Sequence, residues 1–152
     1  MKIRKAKLKD LREISEISKE SIKFHSKYET VRYDVNKIIP FYTAWLEKLI
    51  QKNVFLVTEL DKRVVGYVCG NIEEWYPDYK IGSVIDLAVK KEYQGKGIGK
   101  KLLNSIVDLF KEKNCKEIKI DVHMKNKKAF NLYKSLGFRP WKYEMKKIIA
   151  KV

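Results

Sequence analysis

The chain has 152 residues, a length that suits one domain over residues 1–152 and allows a core without staples. Its formal charge is +15, and arginine contributes only Arg4, Arg12, Arg32, Arg63 and Arg139, so the field favours anionic ligands without the arginine–aromatic clusters that read nucleic acid. No apolar stretch reaches membrane-spanning length and Met1 to Ala6 is basic rather than apolar, which predicts a cytoplasmic protein with no membrane partner.

Met1–Ala6 reads as a first strand. Asp10 stands at a helix cap position before Leu11, Ile14, Ile17 and Ile22, which recur at helical spacing. Ile38, Phe41, Tyr42, Trp45, Leu46 and Leu49 mark a second helix that Pro40 starts or kinks. Val54–Val57 and Val64–Val68 flank Leu60-Asp61-Lys62-Arg63, a hairpin signal. Cys69 sits in an apolar run and reads as a packed thiol; Cys115 is far from it, and neither has neighbours that suggest a disulfide or a metal site. Ser83–Val89 is an apolar strand, and Leu102, Leu103, Ile106, Val107 and Phe110 form the apolar face of a third helix. Glu117–Val122 is a further strand, with Ile118, Ile120 and Val122 on one face. A helix from about Asn126 to Leu136 ends at Gly137, and Phe138 opens a final hairpin through Tyr143 to Ile149. Trp141, Tyr143 and Met145 suit either a dimer strand or the completion of the core. The order is β-α-α-β-β-β-α-β-α-β-β, which places the chain in the α/β or α+β class.

Between the Ser83 strand and the third helix lies Gln94-Gly95-Lys96-Gly97-Ile98-Gly99-Lys100-Lys101. Strand, glycine loop and helix start together make an anion site: glycine lets main-chain N–H groups approach a ligand, and the helix N-terminus adds unpaired donors. The spacing narrows the ligand. A P-loop needs four residues between its first Gly and its Gly-Lys, then Ser or Thr, whereas Gly95 and Gly99 enclose three and Lys101 replaces the hydroxyl. A dinucleotide loop needs a third Gly where Lys100 stands.

The pattern Gln94-x-x-Gly97-x-Gly99, after a strand ending Leu87-Ala88-Val89, resembles the acyl-CoA-binding signature of the GNAT N-acetyltransferase superfamily. Asn126-x-x-Ala129-x-x-Leu132-Tyr133-x-x-x-Gly137-Phe138 resembles that family's downstream element, in the family's order. The specific resemblance covers Ser83 to Phe138. It implies a mostly antiparallel twisted sheet flanked by helices, with the fourth and fifth strands splayed apart. It also implies acetyl-CoA as acyl donor, an amine acceptor, and no metal.

The resemblance assigns roles residue by residue. Main-chain amides from Gly95 to Lys100, including those of Lys96, Gly97, Ile98 and Gly99, would hold the pyrophosphate as a nest, with Gln94 in the same signature. A main-chain N–H near Leu87, Ala88 or Val89 would meet the thioester oxygen. Tyr133 would be the general acid, and Asn126 would touch the cofactor or cap the last helix. The base is open among Asp121, His123 and Asp86. His25, the segment Ser21–Tyr42 and a loop at Glu73–Ile81 would shape the acceptor pocket, through Phe24, Tyr28, Tyr33, Tyr42, Trp75, Tyr76 and Tyr79. The acceptor is a peptide α-amine, a lysine or a small amine. Two other readings stand beside the enzyme: a non-catalytic acyl-CoA-binding domain, which would not need Tyr133, and a basic nucleic-acid-binding module. A homodimer is compatible with the C-terminal aromatics.

Overall fold

In the computed structural model, which describes residues 1–29, 33–52 and 54–149, strands and helices follow the expected order through the last helix. They are β1 (Lys2–Lys5), α1 (Leu11–His25), α2 (Val35–Gln51), β2 (Phe55–Leu60), β3 (Arg63–Tyr76), β4 (Tyr79–Val89), α3 (Ile98–Glu112), β5 (Cys115–Ile120) and α4 (Lys127–Ser135). The five strands form one sheet in the order β1-β2-β3-β4-β5. The first three pairings are antiparallel, and β4 with β5 is parallel.

Alternation along the strands divides the core in two. Phe55, Val57, Tyr67, Cys69 and Ala88 face α1 and α2, meeting Ile14, Ile17, Leu46 and Leu49. Leu56, Val65, Val68 and Val84 face α3, meeting Leu102, Leu103, Ile106 and Phe110. The Phe110 ring lies directly on Gly82, where an added Cβ would stand 2.6 Å from it. Gly82→Ala therefore overpacks this contact, and urea titration should show it less stable by about 1–3 kcal/mol.

The β2–β3 turn is Asp61-Lys62, with φ of 49° and 63°. Positive φ at both central residues suits the right-handed twist of a two-residue hairpin. Gly137, at φ 88°, ends α4 as expected: its N–H reaches Lys134, and that of Phe138 reaches the Tyr133 carbonyl.

Several expectations are corrected. The Asp10 carboxylate makes no cap bond to α1. It accepts instead from the Lys7 N–H and, at 2.7 and 2.9 Å, from Arg4, which also grips Glu59. A buried carboxylate beside a guanidinium satisfies more of its lone pairs there than at a cap. Helix α2 begins after Asp34, whose side chain accepts from the Asn36 N–H, so Pro40 lies inside it. Proline deletes one bond to the Asn36 carbonyl, which sits on an exposed residue, and the buried run Leu46, Leu49, Ile50 carries the helix on. Glu73–Ile81 is no loop: β3 and β4 continue through it to a tip at Pro77-Asp78. Phe138 does not open a hairpin, and Arg139–Ile149 belongs to no strand or helix.

Candidate active site

Parallel pairing of β4 with β5 runs from Lys80–Cys115 to Val84–Ile120 and then stops. Beyond Val84, β4 continues to Val89, paired only with β3. The strands part here as the resemblance implied, and past Val84 no strand pairs with β4 on its β5 side among the described residues.

Two residues on, the chain makes a short turn at Lys91–Tyr93 and enters the glycine loop. The Gln94 side-chain amide donates to the Val89 carbonyl at 3.0 Å, tying the loop to the end of β4. Gly95 and Gly97 both have φ of 77°, and an added Cβ at either would meet no atom within 4 Å. The first bond into α3 is from Lys101 N–H to the Gly97 carbonyl. Among the described residues, no main-chain N–H from Gly95 to Lys100 donates to the protein, as the first turn of a helix requires. These open donors lie at the positive end of α3. Ile98 contributes only its amide, since its side chain is buried in the core. Lys96 lies over the Tyr93 ring, 5.2 Å from its centre, and the Lys100 side chain is exposed.

Asp86 stands at the gap on the α1–α2 face of the sheet. Its Oδ2 accepts from the Tyr42 hydroxyl at 2.6 Å and the Tyr67 hydroxyl at 2.5 Å. Oδ1 has no bonded partner among the described residues. Tyr67 is fully buried, so its hydroxyl must bond to something. Burial first, then the Asp86 charge, raises the pKa of both phenols, so both stay donors. The same two causes raise the Cys69 thiol well above its ordinary value. That thiol is buried and inert, not a nucleophile.

Tyr133 approaches from α4, packed against the α3-side core with its ring 6.2 Å from that of Phe138. Burial, then the Asp86 charge, pushes its phenol up to about 12. His25, at the end of α1, is half-buried; burial lowers its pKa, while the Asp86 charge works in the opposite direction. His123 is exposed, stacks on Tyr28 at 5.0 Å, and accepts from the Lys125 N–H through Nδ1. Asn126 is buried and caps α4 by accepting from the Ala129 N–H.

The Asp86 charge acts on both Tyr133 and His25, and Gln94 ties the loop to the end of the strand that carries Asp86. Asp121 is left exposed just past β5, without a bonded partner among the described residues. Trp75, Tyr76 and Tyr79 also fall away from the opening. They sit at the β3–β4 tip, where Tyr76 stacks on Tyr79, Lys119 covers Trp75 and Tyr79 bonds Glu117. The seven residues from Tyr79 to Asp86 span roughly 23 Å at about 3.3 Å each. Tyr67 was missed because it reads as one more apolar β3 residue. Its only signal is a phenol inside a fully buried strand, paired with Ala88 two residues from Asp86.

Residues 10–138 match the Acetyltransferase (GNAT) family. An uncharacterized N-acetyltransferase of Methanocaldococcus jannaschii is 36% identical over 140 residues, covering 91% of this chain and 78% of that protein. An N-alpha-acetyltransferase of Sulfurisphaera tokodaii is 31% identical over 146 residues, covering 91% and 80%. The crystal structure of the PaiA N-acetyltransferase from Thermoplasma acidophilum, in complex with coenzyme A, superposes with a TM-score of 0.81 at 26% identity, covering 94% and 92%. Since the match runs from the start of α1 through the glycine loop to the end of α4, the chain belongs to the acetyltransferase (GNAT) family.

Proposed function

We propose that this chain transfers the acetyl group of acetyl-CoA to a primary amine by direct attack in a ternary complex. The observation that carries this reading is the open row of N–H donors from Gly95 to Lys100, one loop away from a gap that holds Asp86. The loop leaves room for a ligand: the space that a Cβ would enter at Gly95 and Gly97 holds no protein atom within 4 Å. The CoA complex of the Thermoplasma structure supports the same ligand.

When bound, acetyl-CoA supplies an activated carbonyl and a thiolate leaving group. The loop amides hold its diphosphate, and Lys96 and Lys100 add positive charge beside them. Main-chain N–H groups between Leu87 and Val89 offer a donor to the carbonyl oxygen, where charge grows during attack. Asp86 receives the acceptor's ammonium on Oδ1, while Tyr42 and Tyr67 fix the carboxylate through Oδ2. The amine gives up a proton to Asp86 or to His25, which burial keeps neutral near pH 7. Tyr133 returns a proton to the departing sulfur; with its pKa near 12 it is protonated throughout the working range. Tyr28 and His123 wall the acceptor side. Asn126 acts through α4, which it caps, and Asp121 carries no step.

An α-amine is the acceptor the chemistry favours. Its pKa of about 7.7–8.0 leaves roughly a tenth of it neutral at pH 7, while a lysine amine at about 10.4 is almost wholly charged. The name of the Sulfurisphaera relative supports the same class.

Tyr133→Phe separates a catalyst from a binder. It should lower kcat about 100-fold or more and leave the Kd for acetyl-CoA within about twofold, read by steady-state kinetics and calorimetry. If wild type and variant turned over a panel of peptide, polyamine and lysine acceptors equally, the acid assignment would be wrong. No turnover with any of them would favour the non-catalytic acyl-CoA domain.

A further inference from the structure

The β3–β4 tip is acidic and aromatic on a chain that is otherwise strongly basic. Lysine and arginine outnumber the acids by 34 to 19, yet Asn71–Tyr79 carries Glu73, Glu74 and Asp78 and neither lysine nor arginine. None of these three carboxylates is in an ion pair among the described residues. The aromatic side chains beside them are uncovered: Trp75 is 65% exposed and Tyr76 57%. Tyr76 stacks on Tyr79 with ring centres 4.9 Å apart, and the Tyr79 hydroxyl donates to Glu117. Lys119 stands over Trp75, its ammonium 4.8 Å from the ring centre. The ring thus already takes a cation, and most of it stays open with that lysine in place.

The main chain here is also unpartnered on one side. β2 begins at Phe55, opposite Cys69, and the Gly70 N–H donates to the Val54 carbonyl at 2.9 Å. Past that point no strand pairs with β3 on its β2 side among the described residues, although β3 runs on to Tyr76. A strand edge left in this way is a template for an extended chain.

We propose that the tip is a docking site for a basic, extended segment of the acceptor protein, lying about seven residues from the amine that is acetylated. This rests on the reading of the acceptor as an α-amine carried by a polypeptide. Three observations choose the occupant. Unpaired carboxylates beside an open indole ring favour lysine and arginine side chains. The open edge of β3 favours a polypeptide over a small polycation. The spacing follows from Tyr79, which lies roughly 23 Å along β4 from Asp86 at about 3.3 Å per residue. A nucleic acid is disfavoured because its phosphates would face the same carboxylates.

Two peptides with the same amino-terminal serine test this. One has about twelve residues, with lysines near positions 7–9 as the strand spacing requires; the other is its first four or so residues alone. Wild type should turn over the long peptide with a KM at least about tenfold below that of the short one and a kcat within about twofold, the gain expected of a second linked contact. The double variant Glu73→Lys, Glu74→Lys should raise the KM of the long peptide to that of the short one and leave the short one unchanged. Trp75→Ala, which alters no charge, should raise the long-peptide KM alone by about threefold or more. All three positions are exposed, so far-ultraviolet circular dichroism should not change. Equal KM values for the two peptides in wild type, or variants that treat the long peptide as wild type does, overturn the docking site and leave acetyl transfer standing. If neither peptide is turned over, the functional reading fails instead, and fluorescence anisotropy of the dye-labelled long peptide decides the docking site separately. Binding that the double variant loses supports it; binding that is absent, or unchanged in the variant, overturns it.

Discussion

Asp86→Asn is expected to lower kcat/KM for the amine acceptor by about 10³-fold, within the span of a general acid–base group. Acetyl-CoA affinity should stay within about twofold. The substitution is nearly isosteric, and its amide oxygen still accepts from Tyr42 and Tyr67, which hold the native Oδ2 at 2.6 and 2.5 Å. Their packing therefore survives, and thermal unfolding should move little. What disappears is the charge that draws an ammonium to the open oxygen and then takes its proton. Tyr42→Phe makes the comparison informative. It removes one of the two donors that aim the carboxylate but leaves the charge, so the loss should be smaller and fall mainly on KM. An Asp86→Asn enzyme with wild-type kcat/KM would remove Asp86 from the mechanism and return the base to His25 or His123.

Gly97→Ala is expected to weaken acetyl-CoA binding about 30-fold or more, the equivalent of one or two hydrogen bonds to a charged group. Two effects act together. Gly97 has φ of 77°, in the left-handed region where a Cβ costs roughly 1–2 kcal/mol. The new methyl also enters space that no protein atom occupies within 4 Å, so the group it crowds is the ligand. Gly99→Ala is the control. That glycine lies within the helix, and its added Cβ would meet Leu132 at 3.9 Å and Val89 at 4.0 Å, ordinary contact distances. Its affinity should change less than threefold, about 0.6 kcal/mol. Equal losses at both positions would show that general disruption of the loop, and not occupation of the cradle, is responsible.

The parts legible in the sequence are those fixed by local chemistry. The Asp61-Lys62 hairpin, the apolar faces of α1 and α3, the glycine loop and the Gly137 cap each depend on residues within one or two turns of one another. What escaped depends on register and on distant partners. Tyr42 reaches Asp86 from a helix 44 positions away, and the alignment of Cys69 with Asp86 that puts this carboxylate on the same sheet face as Tyr67 is set by a bulge beside it. The far ends of β3 and β4 carry Glu73, Glu74 and Lys80, with no buried residue from Glu73 to Lys80. Without a core to face, they show no apolar alternation. Asp10 reads as a cap because the Arg4 that engages it lies back in β1, outside the helical pattern. The segment after Phe138 has the alternation of a strand, but alternation states only that one face needs cover. It does not say which molecule supplies it.

The role of the two histidines follows from the same geometry. His25 and His123 flank the Tyr28 ring, the first tilted at 6.0 Å and the second stacked at 5.0 Å. These contacts connect the end of α1 to the turn after β5. On the proposed reading, the acceptor amine binds between the sheet opening and the α1–α2 region, away from the hairpin tip.

The central claim is that main-chain donors from Gly95 to Lys100 grip the diphosphate of acetyl-CoA. Amide nitrogen–proton NMR spectra recorded while CoA is added read those donors one by one. The Gly95–Lys100 resonances should move downfield, saturate at one equivalent of CoA, and stay in place with pantetheine, which lacks the diphosphate. Saturable shifts confined to other surfaces, with these resonances unmoved, would contradict it.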